Sequence, residues 1–154
     1  MTNLSPNFTL AEMTVTNTGL PNVPNAQQIR NLRHLVVNVL QPLRNAIGPV
    51  KVTSGFRSKA VNAHPSVGGS PHSQHLLGLA ADIVSPTGEW SPEEITRVII
   101  DLGLPFDQLI FEGGWVHVSW STQRRGHVLR KVGTGYRSFV PRLLSPEKQK
   151  RIRK

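Results

Sequence analysis

Two histidines and an aspartate are spaced so that one metal ion could join them. His75 stands on the loop side of Ser73-Gln74-His75-Leu76-Leu77-Gly78-Leu79-Ala80-Ala81-Asp82, and Asp82 falls on a predicted strand. His117 lies further on, in another predicted strand. Two imidazoles and one carboxylate suit Zn²⁺, and three protein ligands leave the fourth tetrahedral position for water, as a hydrolytic site requires. The chain has no cysteine, so any transition-metal site must be built from histidines and carboxylates.

The run from Ser73 to Asp82 reads Ser-x-His-x-x-Gly-x-Ala-x-Asp, with Ser54-Gly55-Phe56-Arg57-Ser58 before it and Trp115-Val116-His117-Val118 after it. In these three motifs, in this order, the chain resembles the zinc D-alanyl-D-alanine peptidases and L-alanyl-D-glutamate endopeptidases. That family includes vancomycin-resistance dipeptidases and many phage endolysins. The resemblance covers roughly residues 8 to 120. It implies zinc on His75, Asp82 and His117, and Arg57 either holding a substrate carboxylate or stabilising charge on the attacked carbonyl. A permanently charged, planar donor fork suits both roles. It also implies Ser73 as a substrate contact or a support for the ligands, and a small α+β fold whose antiparallel sheet carries the metal and is packed by helices.

One position departs from the family pattern. Many members place an acid three residues before the last histidine to relay a proton to the leaving amine, and here that position is Gly114. Glu112 is the nearest acid, five residues before His117, and on one regular strand an odd spacing turns it to the opposite face. A bulge at Gly113-Gly114 would turn it back. Glu112 is the expected general base and Asp107 the reserve. Strict alternation from Trp115 to Trp120 puts Trp115 beside His117 as a substrate contact. His72, three residues before His75, is a second expected contact. His127 is a candidate contact to substrate or polyanion, whereas His34 and His64 read as structural.

These residues need a scaffold, and its outline is visible. Thr9-Leu10-Ala11-Glu12 fits a capping box for a short helix. A main core helix is expected to run to about Ile47 from the break at Asn25, with a kink at Pro42 and a stop at Gly48. Strands are expected at 50–53, 79–84, 108–111 and 115–120, with a loop over 64–73. Ser91-Pro92-Glu93-Glu94 should open a helix burying Ile95, Val98 and Ile99 and ending at Gly103. Ser145-Pro146-Glu147 could cap a short, basic final helix.

At 154 residues and 17.0 kDa the chain fits one peptidase domain, residues 1–144, with a basic tail at 145–154. The net charge of +9 is concentrated late: eleven Lys/Arg stand against Glu147 from Arg124 onward, and seven against eight acids before it. Such an end suits adhesion to anionic envelope polymers or lipids. The amino terminus shows no signal peptide and no segment spans a bilayer. The expectation is therefore a monomer held in a host cytoplasm until released to the periplasm or wall, or else carried on a virion. The expected activity is zinc-dependent hydrolysis of an amide in peptidoglycan stem peptides, of the endolysin type, with L-alanyl-D-glutamate as the first candidate bond. The rivals are a D-alanyl-D-alanine carboxypeptidase and a non-catalytic wall- or polyanion-binding module. Nucleic acid is not expected as a partner, because the tail has few aromatics and the neutral body offers no basic groove.

Overall fold

The computed structural model describes residues 2–153. A two-stranded ribbon, β1 (Asn3–Ser5) and β2 (Phe8–Thr9), leads into one 3₁₀ turn at Glu12–Thr14. Half of the expected capping box forms there: the Glu12 amide donates to Thr9 Oγ1 at 3.1 Å. The Glu12 carboxylate accepts from the Thr9 hydroxyl rather than from backbone.

The long core helix is divided. Asn25 and Gln28 make a capping box on α1 (Ala26–Leu35), a π-helical turn covers Val36–Leu40, and α2 (Gln41–Ile47) follows. The irregularity precedes Pro42, which has no N–H for a helical bond and whose ring crowds the preceding turn. The Gln41 amide reaches back to the Val36 carbonyl as a result. Gly48, at φ 88°, ends α2 where a side chain would be strained.

The main sheet has the order β3-β4-β6-β5-β7-β8. Its strands are β3 (Lys51–Ser54), β4 (Ala80–Val84), β5 (Gln108–Phe111), β6 (Val116–Ser119), β7 (His127–Val132) and β8 (Gly135–Ser138). Between them lie α3 (Lys59–Ala63), capped by Ser58, and α4 (Pro92–Asp101), whose Ser91–Glu94 capping box forms as expected. All pairings are antiparallel except β5 with β7. The fold is α+β, and two of the candidate metal ligands, Asp82 and His117, sit on the antiparallel part of the sheet.

Register decides what each face does. Ala81, Val118, Leu109 and Val128 are aligned across four strands and turned toward the helices. One residue along, Asp82, His117, Ile110 and Leu129 are aligned on the opposite face. Ile95, Val98 and Ile99 of α4 are wholly buried, as their periodicity required.

The segment after Trp120 is more structured than its charge suggested. The β7–β8 hairpin extends the sheet, and α5 (Pro146–Ile152), capped by Ser145, packs near α2. Leu144 and Ile152 join the core. Lys148 Nζ pairs with Glu94 at 2.9 Å and lies 4.8 Å from the Trp90 ring centroid, with Arg151 at 5.1 Å from the same ring. Most of the expected tail is thus a docked helix, Pro146–Ile152; Lys154 lies outside the described residues.

Candidate metal centre and its cleft

His75 sits in a 3₁₀ turn at Gln74–Leu77 that begins when Ser73 Oγ accepts from the His75 amide at 3.2 Å. The turn ends at Gly78, which has φ 74° and whose missing Cβ leaves room for the Gln28 carbonyl; a Cβ would stand 2.6 Å from that oxygen. The chain then enters β4 and places Asp82 beside His117 of β6, its register partner. The glycine and small residues of this motif therefore let a loop histidine and a strand aspartate converge under α1.

The Ser54–Ser58 motif completes the support. A Cβ on Gly55 would lie 2.3 Å from the Met13 carbonyl oxygen, so only glycine permits this approach. The Gly55 carbonyl accepts from His75 Nδ1 at 2.7 Å. A carbonyl can only accept, so Nδ1 carries the proton and Nε2 is left with its lone pair. That nitrogen lies 3.4 Å from Asp82 Oδ1, and His117 Nδ1 lies 3.2 Å from the same oxygen. The ligand atoms of the trio all fall within 4.8 Å of one another.

Protonation suits a metal. Burial lowers the His75 pKa and keeps the imidazole neutral. Burial alone would raise that of Asp82, but the histidines it faces, first of all the hydrogen bond from His117, outweigh it and hold the carboxyl ionised. Neutral imidazole and carboxylate are the binding forms, so the donor set fits a divalent ion of the zinc type.

Arg57 is not free in the way the motif alone suggested. It donates to Asp82 Oδ2 at 3.2 Å, to Ser54 Oγ at 2.9 Å and to Asn62 Oδ1 at 3.3 Å. Its first task is thus to turn Asp82 so that Oδ1 faces the histidines. Three of its five N–H groups are engaged, leaving two for a ligand in the cleft it lines.

Glu112 lines the same cleft without the bulge that its spacing seemed to require. It belongs to the β5 side of a hairpin, not to the strand of His117. Ile110 pairs with His117 and Phe111 with Val116, and the Glu112 amide donates to the Trp115 carbonyl at 3.0 Å. Two residues along from Ile110, Glu112 shares the face of His117; Gly113, at φ 97°, and Gly114 form the tight turn. Burial raises the Glu112 pKa, while nearby Lys131 and His117 oppose the shift.

Asp107, the reserve base, is committed elsewhere. It is fully buried, and its oxygens accept from the Arg125 backbone amide, Nε and NH2 at 2.8 to 3.0 Å and from Gln74 Nε2 at 2.9 Å. These bonds hold its pKa well below the usual carboxylate range. It anchors Gln74, the residue before His75, and lies outside the cleft wall.

Ser73, His72 and Trp115 all line the cleft, which has a volume of about 440 Å³. Trp115, Arg57 and Val67 also border a second hollow of about 480 Å³ on the β3 side. His34 stacks on Trp120 with centroids 4.7 Å apart, and His64 bonds Ser66. His127 begins β7 and is not part of the cleft wall. Sequence reasoning missed Asn62, Gln74, Lys131 and Tyr136. Asn62 offered one local signal, a polar residue on the short helix that a capping Ser58 announces.

A His-Asp-His trio that could hold a metal ion, beside a carboxylate on an α+β scaffold, is an arrangement suited to a metal-dependent hydrolase. Over residues 6–119 the chain matches the family model described as Peptidase M15, and it belongs to that family. The resemblance drawn from the three motifs is borne out. No relative is found among curated proteins.

Proposed function

We propose that the protein is a zinc peptidase that hydrolyses an amide bond within peptidoglycan stem peptides, with L-alanyl-D-glutamate as the first candidate bond. The carrying observation is the convergence of His75 Nε2 and His117 Nδ1 on Asp82 Oδ1 in a cleft that also holds Glu112. Zinc, when bound, supplies Lewis-acid polarisation of the scissile carbonyl and lowers the pKa of water. His75, Asp82 and His117 would hold it. Glu112 takes the proton from the attacking water and delivers it to the leaving amine, and its raised pKa brings it toward that double role. The two N–H groups of Arg57 left unengaged in the cleft would stabilise the charge that develops on the carbonyl oxygen.

The two hollows that meet at Arg57 and Trp115 favour a substrate continuing on both sides of the centre, and hence an endopeptidase over a carboxypeptidase. As an endolysin-type enzyme the protein would act as a monomer, stored in a host cytoplasm or on a virion until it meets the wall. Exposed Arg137, Arg142, Lys150 and Arg153 would draw it to anionic envelope polymers. The test is a turbidity assay on permeabilised cells with and without chelator, followed by mass analysis of the fragments. Fragments cut inside the stem support the endopeptidase, release of terminal D-alanine identifies the carboxypeptidase, and wall binding without cleavage leaves only a binding module.

A further inference from the structure

The outer wall of the cleft is built by residues beyond the segment that matches the family. β7 runs parallel to β5 with Ile110 opposite Leu129 and Phe111 opposite Arg130, so Lys131 continues the row to which Glu112 belongs. Across the hairpin Lys131 pairs with Tyr136 in antiparallel register, which puts both side chains on one face. Both line the cleft, and Lys131 Nζ lies 5.9 Å from the Tyr136 ring centroid.

The cations of this wall differ in what they already hold. Arg125 is spent on Asp107. Arg130 alternates to the other face, over Phe111 and Phe139 at 5.8 and 5.3 Å. Among the described residues Lys131 has no acid within ion-pair distance, although it borders a cleft made for a ligand. Tyr136 is half exposed and offers an O–H donor on the same rim.

Resting on the peptidase reading above, we infer that Lys131 and Tyr136 form a subsite for a free carboxylate on the substrate. Its reach follows from the sheet. β7 stands two strand spacings from β6, roughly 10 Å at about 4.8 Å each, and an extended peptide covers about 3.3 Å per residue. The carboxylate therefore lies within about three residues of the scissile amide. The hairpin selects acidic peptides, and the trio and Glu112 cut them.

The test uses paired peptide substrates that differ only in a carboxylate or carboxamide at that distance from the cleaved bond. The zinc-loaded parent should favour the acid about tenfold in kcat/KM, chiefly through KM, as a charge-assisted contact would. In Lys131→Met the acid-to-amide ratio should fall to within about threefold, and Lys131→Arg should restore most of it. Calorimetric binding of both peptides to Glu112→Gln reads the same preference without turnover. Equal handling of both peptides by the parent overturns the subsite. So does a ratio that survives in Lys131→Met while only the pH profile moves, since Lys131 would then merely tune Glu112. If the parent binds the acid peptide selectively but cuts nothing, the subsite stands and the peptidase reading falls; without cleavage or selective binding, both fall.

Discussion

Residues 6–119 and residues 120–153 of this chain use charge in opposite ways. The first region is nearly neutral, and its polar groups converge at one point: Asp82 is shared by His75, His117 and Arg57 within 3.4 Å. The second is strongly basic, and its cations disperse. Arg125 neutralises buried Asp107, Lys131 faces the cleft, and Lys148 and Arg151 flank Trp90. A run of like charge in sequence is not one surface in space, because strand alternation and helix rotation send neighbouring side chains to different partners.

The contrast predicts that chemistry is lost only in the first region. Asp82→Asn should lower turnover about a thousandfold or more, since a metal contributes several kcal/mol to the transition state and each decade is 1.36 kcal/mol. Metal content by mass spectrometry should fall with it. Retained turnover in a metal-free variant would break the comparison at its centre.

Glu112→Gln should reduce kcat by roughly 10²–10⁴ while metal stays bound. A base must be ionised, and burial raises the Glu112 pKa, so activity should fail as pH drops through a value above the ordinary glutamate value of about 4.3. Lys131 opposes that rise, so Lys131→Met should move this acid limb to still higher pH. A limb at the ordinary value would detach Glu112 from the reaction.

Away from Lys131, effects in the second region should appear in stability. Arg125→Ala leaves buried Asp107 without its guanidinium and should cost about 1.5–3 kcal/mol, read by urea denaturation. Asp107 has a depressed folded pKa. Its contribution is therefore complete above the unfolded value of about 3.9 and is lost as pH falls toward the folded one. In Asp107→Asn that part of the acid destabilisation should vanish. The smallest change is expected for Lys148→Ala, about 0.2–1 kcal/mol, because the pair with Glu94 is partly solvated. If it abolished wall binding without altering stability, α5 would be an adhesion device rather than a buttress.

Much of the site could be read directly. Three motifs name the candidate ligands because side-chain chemistry restricts a cysteine-free metal site to few residue types, and because Gly55 and Gly78 mark close backbone approaches. The capping boxes at Asn25 and Ser91 are local, so helix starts were also legible, whereas the π-helical turn depends on how the chain accommodates Pro42.

Long-range pairing accounts for the remainder. Glu112 appears misplaced when counted along one strand and faces His117 once the hairpin register is formed. Sequence ranked Asp107 behind Glu112 as a base, but that Arg125 occupies it is visible only in the fold. Residue types and local spacing specified the candidate metal trio, since it rests on each side chain's own chemistry. Only tertiary structure turned Glu112 to the face of His117, tied Asp107 to Arg125 and set Lys131 on the cleft wall, since each depends on which strand lies next to which.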